Sequence, residues 1–594
     1  MQWPSWVRTN GWKQSSTGST DVSDRAFYVR LMEAKGQPEG HAEAWDWLHD
    51  RVKWYPRDRN YWPWRQAKRR DRWRPIAMVG VTPAVLADDN KPGVAALSLH
   101  RPPRTITVEG GTGPDASSRL ASLLFQARTR RTSLVVPDGS AWVFDALLRD
   151  HVPAWVDLGY VVTPLVAGWT CKGMVVRKGR ERWTLADFTA MTGTDPARAL
   201  AEGATPSGLA SGEEDPLPAL TAWVTRLQEA TLATFGVYLR PTLPGTAVRS
   251  AGFDLPEGAL IPRVPPYVVA MCRDGLGYRG GYVYGEKYRG LAWKVDARRL
   301  YARALCEPLG VQWTFGRCQP RDVERPGIYL CTVSGEALHP VQLGTWDGPE
   351  HGFTLRLWSG GTAIAVLPSS EFAGLRAMGL TVEPGWGWVA ERVVDFSAFV
   401  AKLQRVLDQY GSDSREGRAA KLLGNSLYGR LAVRPDREIA IWSRERPGKD
   451  AWPMVTPDGR PMADLWEVQE VRYSPSQQVG AAAMITGFAR GYLYEEMARR
   501  IRDGASIVHA HTDGYVATGP VPADLPWETD EIGAWRLVSV DDDAIVARAG
   551  GYAIGGETKW SGAPHQGRRT VEMAWTTGGW VVRGRKVEGT KPSD

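Results

Sequence analysis

The chain has 594 residues, of which 43% are hydrophobic and 23% charged, and a formal net charge of +7. This length allows several domains with large cores, and the composition excludes a disordered protein. The positive balance favours a polyanionic partner. Five cysteines without a C-x-x-C pair predict a reduced protein without a structural zinc site. We also find no long apolar run and no signal-peptide pattern, so we expect a soluble, cytoplasmic protein without a membrane partner.

Residues 1–75 are interpreted as a basic, aromatic N-terminal extension. The segment from Arg51 to Arg74 carries ten arginine and lysine residues against Asp58 and Asp71, with six tryptophan and tyrosine residues between them. Basic groups pair with phosphates and aromatic faces stack on bases, so the segment predicts a site for single-stranded nucleic acid. Cation–π contacts within the protein explain the composition equally well. An acidic protein partner is a third interpretation.

Residues 76–240 show short apolar strands alternating with helices, which predicts an α/β domain. A linker rich in Gly, Pro and Ser runs from Ala201 to Pro218. Further along, the segment ending in Val295-Asp296 is typical of a short strand, and a helix-like segment follows it. Asp296 therefore lies at the carboxyl end of a strand, where it could bind a metal or cap the helix.

The next informative segment is a predicted helix. Lys421, Asn425 and Tyr428 stand at i, i+4 and i+7, so they share one face, while the intervening leucines point elsewhere. A cation, an amide and an aromatic ring on one stripe can hold a phosphate, a sugar and a base. An ordinary amphipathic helix with a polar outer face is the alternative.

A hairpin is predicted after a Pro- and Gly-containing stretch from Arg434 to Gln477. Apolar runs flank Asp513-Gly514, a strong hairpin signal. A plain turn is the alternative to a catalytic Asp513. Asp296 and Asp513 stand in the sequence on either side of a helix whose polar face could bind a nucleotide, and this arrangement favours a catalytic role for both.

These segments together resemble a known family. The string Lys421-Leu-Leu-Gly-Asn425-Ser426-Leu-Tyr428-Gly429 fits the K-x-x-x-N-S-x-Y-G pattern of family B DNA polymerases. The segment from Asp296 to Ala302 resembles that family's motif A, D-x-x-S-L-Y-P, and the segment from His509 to Gly514 stands at motif C, Y-x-D-T-D-S.

Two more segments resemble the family's protein-primed branch, which is found in phages and linear replicons. Tyr278-Arg279-Gly280-Gly281 resembles its Y-x-G-G segment, and Lys559-Trp-Ser-Gly562 resembles its K-x-x-G stretch. The resemblance is clear from Tyr278 to the C-terminus and faint before it. It implies a chain encoded by a phage or plasmid and located in the cytoplasm of a bacterial host.

The resemblance implies a multidomain α/β and α+β fold. A degenerate RNase H-like exonuclease domain would precede a right-hand polymerase with palm, fingers and thumb. The expected boundaries are an exonuclease-like domain at 76–240, palm with an insertion and the fingers helix at 241–430, a second insertion at 431–478, palm at 479–550 and thumb at 551–594.

The resemblance also implies the roles of individual residues. Asp296 and Asp513 would hold two Mg²⁺ or Mn²⁺ ions, which stabilise the attacking and leaving oxygens of nucleotidyl transfer. Tyr301 would exclude a ribose 2′-hydroxyl, and Lys421, Asn425 and Tyr428 would bind the deoxynucleoside triphosphate. The expected contacts to the DNA template and primer are Tyr278, Arg279, Gly280, Gly281, Ser426, Gly429, Lys559, Arg568 and Arg569. A priming (terminal) protein is a further candidate partner.

Several positions depart from the family pattern. His511 replaces the first Asp of motif C, His509 its Tyr and Gly514 its Ser, while Arg299 and Ala302 replace Ser and Pro of motif A. A neutral imidazole at His511 can bind Mn²⁺, whereas a protonated one would oppose metal binding. We therefore predict a template-dependent DNA polymerase. The alternatives are a catalytically impaired or dead relative that binds nucleic acid, and a nucleotidyltransferase that needs no template or primer.

The exonuclease motifs are mostly absent. Where the family has D-x-E, the chain has Met78-Val-Gly-Val-Thr82, and only Asp145 and Asp187 match later positions. Two isolated aspartates cannot form a two-metal site, so the sequence predicts that proofreading is lost.

Overall fold

The computed structural model describes residues 40–52, 76–81, 94–100, 103–109, 133–136, 161–167, 170–178, 181–194, 196–203, 216–240, 242–254, 264–318, 325–433, 436–443, 445–446, 448–449, 451–455, 461–471, 477–560, 569–576 and 579–586. The chain divides into two compact units. The first unit comprises Met1–Pro63, Ile261–Asp395 and Gln478–Asp594. The second comprises Trp64–Leu260 and Phe396–Gln477.

The helices in the described residues are α1 His41–Val52, α2 Phe188–Thr192, α3 Pro196–Gly203, α4 Pro216–Phe235, α5 Leu243–Asp254, α6 Pro266–Arg273, α7 Leu300–Leu305, α8 Phe372–Ala377, α9 Ser397–Tyr410, α10 Arg415–Leu431 and α11 Val479–Arg502. A short 3₁₀ helix, Ser369–Glu371, precedes α8. None of these described helices is long and apolar enough to cross a membrane.

The strands are β1 Ile76–Val81, β2 Val94–His100, β3 Pro103–Glu109, β4 Ser133–Val136, β5 Val161–Ala167, β6 Thr170–Lys178, β7 Glu181–Asp187, β8 Val283–Gly285, β9 Tyr288–Ala297, β10 Leu309–Arg317, β11 Gly327–Trp346, β12 Phe353–Pro368, β13 Thr381–Val394, β14 Asp436–Trp442, β15 Trp452–Val455, β16 Pro461–Val471, β17 Ser506–His511, β18 Gly514–Thr518, β19 Trp535–Arg548, β20 Gly551–Ile554, β21 Glu557–Trp560, β22 Arg569–Thr576 and β23 Gly579–Lys586.

The first unit is built around a seven-stranded antiparallel sheet in the order β21-β20-β19-β9-β18-β17-β8. Alternate residues of β9 face opposite sides of this sheet. Trp293 and Val295 are fully buried in a large core that includes residues of α8, α11, β11 and β12. On the opposite face, Ala292 joins a smaller cluster with Val516 and Tyr552. Lys294 and Asp296 share that second face by the same alternation.

A four-stranded sheet, β10-β13-β11-β12, forms the second layer of the first unit. Helix α1 packs on it through aromatic side chains: the Trp45 ring lies 5.6 Å from Phe315, and the Trp47 ring 5.9 Å from Phe353. The Arg51 guanidinium lies 4.4 Å from the Trp47 ring centroid, a cation–π contact within the protein. The rest of the predicted basic extension, residues 1–39 and 53–75, lies outside the described residues.

The second unit contains another seven-stranded sheet, in the order β3-β2-β1-β4-β7-β6-β5. The pairs β1–β4 and β4–β7 are parallel, and the outer pairs are antiparallel. Helices α2, α3 and α4 contribute the buried core, in which Phe188, Trp223 and Leu227 pack together. This mixed sheet agrees with the α/β character predicted for this segment.

The remainder of the second unit holds the helix pair α9–α10 and a three-stranded antiparallel sheet, β14-β16-β15. Two predicted boundaries differ from this arrangement. Helix α10 groups with residues 64–260, not with the sheet that carries Asp296. The strands at 551–560 continue that sheet, so a thumb beginning at 551 would start inside it.

Candidate functional site

Asp296 lies near the end of β9, and Asp513 lies in the turn just before the neighbouring strand β18, close together as the sequence predicted for a shared site. Asp296 is the penultimate residue of β9, and helix α7 follows it. In the antiparallel register of β9 and β18, Gly514 stands opposite Asp296. The carbonyl of Asp513 accepts a hydrogen bond from the Ala297 amide at 2.7 Å. The two aspartates are therefore fixed beside each other by the backbone of the sheet.

The hairpin that carries Asp513 turns one residue earlier than its Asp-Gly signal indicates. His511 pairs with Gly514, so Thr512 and Asp513 form the turn. Thr512 has φ 63°, which is strained for a β-branched residue. Gly514 has a different role: a Cβ there would lie 2.6 Å from the Val295 carbonyl oxygen. The close approach of β18 to β9 explains why this chain has Gly where the family pattern has Ser.

The surroundings of the two carboxylates disfavour their charged forms. Burial and the nearby Asp513 raise the pKa of Asp296 to about 6, although Arg536 and Lys294 oppose the shift. Burial also raises the pKa of Asp513, against the effects of Lys559 and Lys294. Two half-buried carboxylates with raised pKa values form a site that a divalent cation would stabilise.

The donor set at this site fits Mg²⁺ or Mn²⁺. The described residues contain no group of three or more His, Cys, Asp or Glu side chains arranged to hold a metal. Mg²⁺ in phosphoryl-transfer sites is commonly held by one or two carboxylates together with substrate phosphates and waters. Asp296 and Asp513 supply that minimum.

The two histidines of motif C are uncharged at neutral pH. Burial and the nearby Lys559 lower the pKa of His511, and its Nδ1 lies 3.2 Å from the Thr512 hydroxyl. His509 is buried, burial lowers its pKa to about 3, and its Nε2 accepts a hydrogen bond from the Gly550 amide. Of the two states considered for His511, the structure favours the neutral imidazole.

Basic side chains line the same part of the sheet. Lys294 donates hydrogen bonds to the Tyr552 hydroxyl at 3.0 Å and to Glu557 at 2.5 Å. Lys559 is exposed on β21, opposite Tyr552. Arg569 begins β22, and Arg568 lies outside the described residues. Lys294, which the sequence reasoning did not single out, could have been identified from its i, i+2 spacing to Asp296.

Helix α10 presents the predicted polar stripe. Ser414 caps it by accepting a hydrogen bond from the Gly417 amide at 2.9 Å. Lys421, Asn425 and Gly429 are exposed. Tyr428 and Ser426 are half-buried, while Leu423 and Leu427 face the core. The helix and its polar face are confirmed.

The Tyr278–Gly281 segment differs from the prediction that all four residues contact the template. Arg279 is 3% exposed, and its guanidinium donates to both oxygens of Glu371 at 2.7 and 2.6 Å. It faces the core and is not available to a phosphate. A Cβ at Gly281 would lie 2.9 Å from the Thr512 side chain, so this glycine packs against the motif C turn. Gly280 is exposed, and Tyr278 is half-buried.

Tyr301 lies in the first turn of α7 and is 8% exposed. Arg299, just before this helix, has φ 55°. In the part of the chain that the structure describes, the non-glycine residues with positive φ are Leu276, Arg299 and Thr512. Each lies within three residues of a segment that the sequence analysis assigned to the site. Backbone strain is typical of functional sites, because the surrounding structure must impose it.

The second unit provides no comparable pair of carboxylates among its described residues. Asp187 ends β7, opposite Val136 of β4. Strand β1, where the first exonuclease motif was expected, contains no acidic residue. Asp145, the other match to an exonuclease motif, lies outside the described residues.

Comparison with known proteins gave matches only by structure. No family model matches the sequence, and no curated protein sequence matches it. Phi29 DNA polymerase complexed with primer-template DNA and incoming nucleotide substrates superposes with a TM-score of 0.57 and 12% identity, over 86% of this chain and 99% of that one. Its post-translocation binary complex with primer-template DNA gives a TM-score of 0.52 and 13% identity, over 87% and 93% of the two chains. Its complex with single-stranded DNA gives a TM-score of 0.50 and 14% identity, again over 87% of this chain and 93% of that one.

Proposed function

We propose that this chain, which has the fold of the protein-primed family B DNA polymerases, is a template-dependent DNA polymerase that extends a 3′-hydroxyl. The observation that carries this proposal is the pairing of Asp296 with Asp513. The sequence places the two aspartates 217 residues apart, and the antiparallel register of β9 and β18 brings them together. Adjacent half-buried carboxylates on a polymerase-like sheet are suited to metal-assisted nucleotidyl transfer.

Asp296 and Asp513 would hold the metal ions. When bound, two divalent ions stabilise the attacking and leaving oxygens of an in-line displacement. The chain's own contribution is to fix the backbone of both residues, with Asp296 on β9 and Asp513 in a turn hydrogen-bonded to Ala297, so that the two carboxylates start close to each other. A neutral His511 beside the pair adds no opposing charge and favours Mn²⁺ as an effective alternative to Mg²⁺.

Helix α10 would bind the deoxynucleoside triphosphate. Lys421 would pair with its phosphates, and Asn425 and Tyr428 would contact the sugar and the base. All three stand on the side of the helix that faces away from its buried leucines. Tyr301 would exclude a ribose 2′-hydroxyl, since its ring lies in the helix that directly follows Asp296.

The DNA contacts would come from residues that the structure leaves accessible. Gly280 and Lys559 are exposed beside the carboxylate pair, while Tyr278 is partly accessible. Ser426 and Gly429 of α10 remain candidates, as do Arg568 and Arg569 from the sequence. A priming protein and a cytoplasmic bacterial host belong to the same proposal by resemblance.

The enzyme would lack proofreading. The sheet of the second unit keeps the parallel pairs β1–β4 and β4–β7, yet β1 has no carboxylate at the expected position. Two-metal hydrolysis needs several acidic ligands held together. The domain would then serve as a scaffold.

The test is extension of a primed single-stranded template with four dNTPs, with Mg²⁺ and with Mn²⁺, beside Asp513→Asn. We expect incorporation that follows the template and is lost in the variant. Asp530→Asn, which removes a carboxylate that is 90% exposed and bonded to Arg298, is the matched control and should retain activity. Incorporation that persists in Asp513→Asn would contradict the proposed metal site.

A non-catalytic DNA-binding relative is a second candidate, favoured by the cations around the carboxylates. Lys294, Lys559 and Arg536 each lower the pKa of at least one of the two aspartates, so they compete with a metal for these charges. This candidate predicts salt-sensitive DNA binding without incorporation under either metal.

A further inference from the structure

The first unit contains a buried cluster of three charged residues, Arg279, Glu371 and Arg490, which we call the triad. Both oxygens of Glu371 accept hydrogen bonds from both guanidinium groups. The distances are 2.7 and 2.6 Å from Arg279, and 2.9 and 2.7 Å from Arg490. All three side chains are excluded from solvent. The triad joins a loop before β8, the 3₁₀ helix before α8 and the middle of α11.

The triad is not explained by stability alone. Two cations and one anion are removed from water, and a buried ion cluster is often no more stable than apolar residues of the same volume. Burial raises the pKa of Glu371, but Arg279 and Arg490 more than offset this and hold its pKa below the ordinary value. The carboxylate is therefore ionised, and the cluster keeps an excess of positive charge in the core.

The other hydrogen bonds of the two guanidinium groups go to backbone carbonyls, three of them in one loop and one in β12. Arg490 Nη1 donates to the carbonyls of Arg279 and Gly280, both at 2.9 Å. Arg279 Nη1 donates to the carbonyl of Leu276 at 3.0 Å and to that of Val366 at 3.2 Å. The loop from Leu276 to Gly280 is thus held by side chains, which explains how strained Leu276, with φ 56°, is maintained.

The same loop leads directly to the turn that carries Asp513. Gly281 packs against Thr512 so closely that a Cβ would lie 3.0 Å from the Thr512 Cα. The next residue, Tyr282, accepts a hydrogen bond from the Thr512 amide at 2.8 Å through its carbonyl. Strand β8 then pairs with β17. A continuous series of interactions runs from Glu371 through Arg490 and Gly280 to Thr512.

We propose that Glu371 and Arg490 are positioning residues that hold the Gly280–Tyr282 backbone against Thr512 and so fix the strained turn that presents Asp513. The proposal rests on the polymerase function proposed above. Neither residue touches the reacting atoms, and both act through the loop. A displacement of about 1 Å at a reacting centre can reduce a rate by about 100-fold.

The test replaces the triad with apolar residues of similar volume, Arg279→Met with Glu371→Leu and Arg490→Met. Because this change removes all three charges together, it leaves no buried charge unpaired. The matched control is Arg500→Met with Glu496→Leu, which removes another buried ion pair on the same helix. If the triple variant does not fold, Arg490→Lys takes its place, since it keeps the charge but loses the fork that spans Glu371 and two carbonyls.

Two measurements decide the proposal. Hydrogen–deuterium exchange at the Thr512 and Asp513 amides should be about tenfold faster in the triple variant and unchanged in the control, since the turn loses hydrogen-bonded support. The rate constant of single-nucleotide incorporation should fall about 10- to 100-fold, while Kd for primer-template DNA stays the same. A folded triple variant with wild-type exchange at the turn would overturn the proposal.

The exchange measurement also separates this inference from the proposed function. A wild-type chain that incorporates no nucleotide would refute the polymerase proposal. Faster exchange at Thr512 and Asp513 in the triple variant would still show that the triad positions the turn.

Discussion

The two seven-stranded sheets of this protein differ in the carboxylates that their described strand ends carry. In the first unit, β9 and β18 place Asp296 and Asp513 side by side at the ends of paired strands. In the second unit, β1, β4 and β7 run parallel in the centre of the sheet, but among the described residues only Asp187 stands at a strand end where the family's exonuclease would have a carboxylate.

The two sheets also differ in strand direction, since the first is antiparallel and the second has parallel pairs at its centre. Both pack against apolar cores, and strand pairing and apolar cores maintain a fold whether or not a site works. The sheet that carries Asp296 also has features that cost free energy and are not needed for folding. These are two carboxylates with raised pKa values and the strained residues Arg299 and Thr512. Backbone strain and raised carboxylate pKa values are typical of functional sites, which makes this sheet a candidate.

The largest expected effect compares one aspartate from each sheet. Asp296→Asn should reduce incorporation about 10³-fold or more, since metal-borne charge stabilisation is worth several kcal/mol and about 1.4 kcal/mol is a tenfold change in rate. Asp187→Asn should leave incorporation unchanged. Steady-state primer extension by the two variants is the measurement. Equal losses in both would show that Asp187 also serves catalysis, directly or through the fold.

The next prediction tests whether the folded protein disfavours the charged form of Asp296. The pKa of Asp296 is raised from 3.8 to about 6, so the folded protein binds this proton more tightly than the unfolded chain. This contribution to stability is fully present below about pH 4 and is lost as the pH rises through 6. In EDTA, the free energy of unfolding of the wild type should fall between these pH values by up to about 3 kcal/mol relative to Asp296→Asn.

Chemical denaturation at several pH values measures this difference. Adding Mg²⁺ should reduce it, because the metal binds the ionised pair and stabilises the folded state at the higher pH. Identical pH profiles for the two proteins in EDTA would contradict the raised pKa.

A smaller effect is expected at Tyr301. Replacing this residue tests whether the region after Asp296 selects deoxynucleotides over ribonucleotides. Tyr301→Val should lower the preference for deoxynucleotides over ribonucleotides by about 10- to 200-fold, the usual range for a steric contact in a pocket. Incorporation of dNTPs should change little. The ratio of kcat/KM for dATP to that for ATP measures the effect. Tyr284→Val, in the edge strand β8 of the same unit, is the control and should keep the ratio.

The sequence predicted several local features of the candidate residues because their signals are local. The i, i+4, i+7 spacing identified the polar face of α10, and the apolar runs around Asp513 identified the hairpin. The turn itself was one residue off, because the spacing of β18 from β9 requires Gly514 within the strand. No local pattern reveals a contact of that kind.

The role of Arg279 was predicted incorrectly for a related reason. A basic residue next to two glycines is typical of a phosphate contact, but its partner Glu371 lies 92 residues further along the chain. Arg490 completes the triad from the middle of α11, in a stretch whose pattern indicates only a buried helix. Buried ion clusters that join distant segments depend on tertiary packing, so the sequence alone gave no sign of this one.

The smallest expected effect is on exonuclease activity, where we expect no change in any variant. This measurement tests the difference between the two sheets most directly. A labelled 3′ end incubated with the wild-type protein and Mg²⁺ or Mn²⁺, without dNTPs, should remain intact over the time in which the polymerase extends it. Asp145→Ala and Asp187→Asn should behave like the wild type, because isolated carboxylates cannot hold two metals. Metal-dependent trimming that either substitution removes would mean that the second sheet is also an active site, completed by residues that do not follow the family pattern. The two sheets would then differ in sequence motif and not in catalytic capacity.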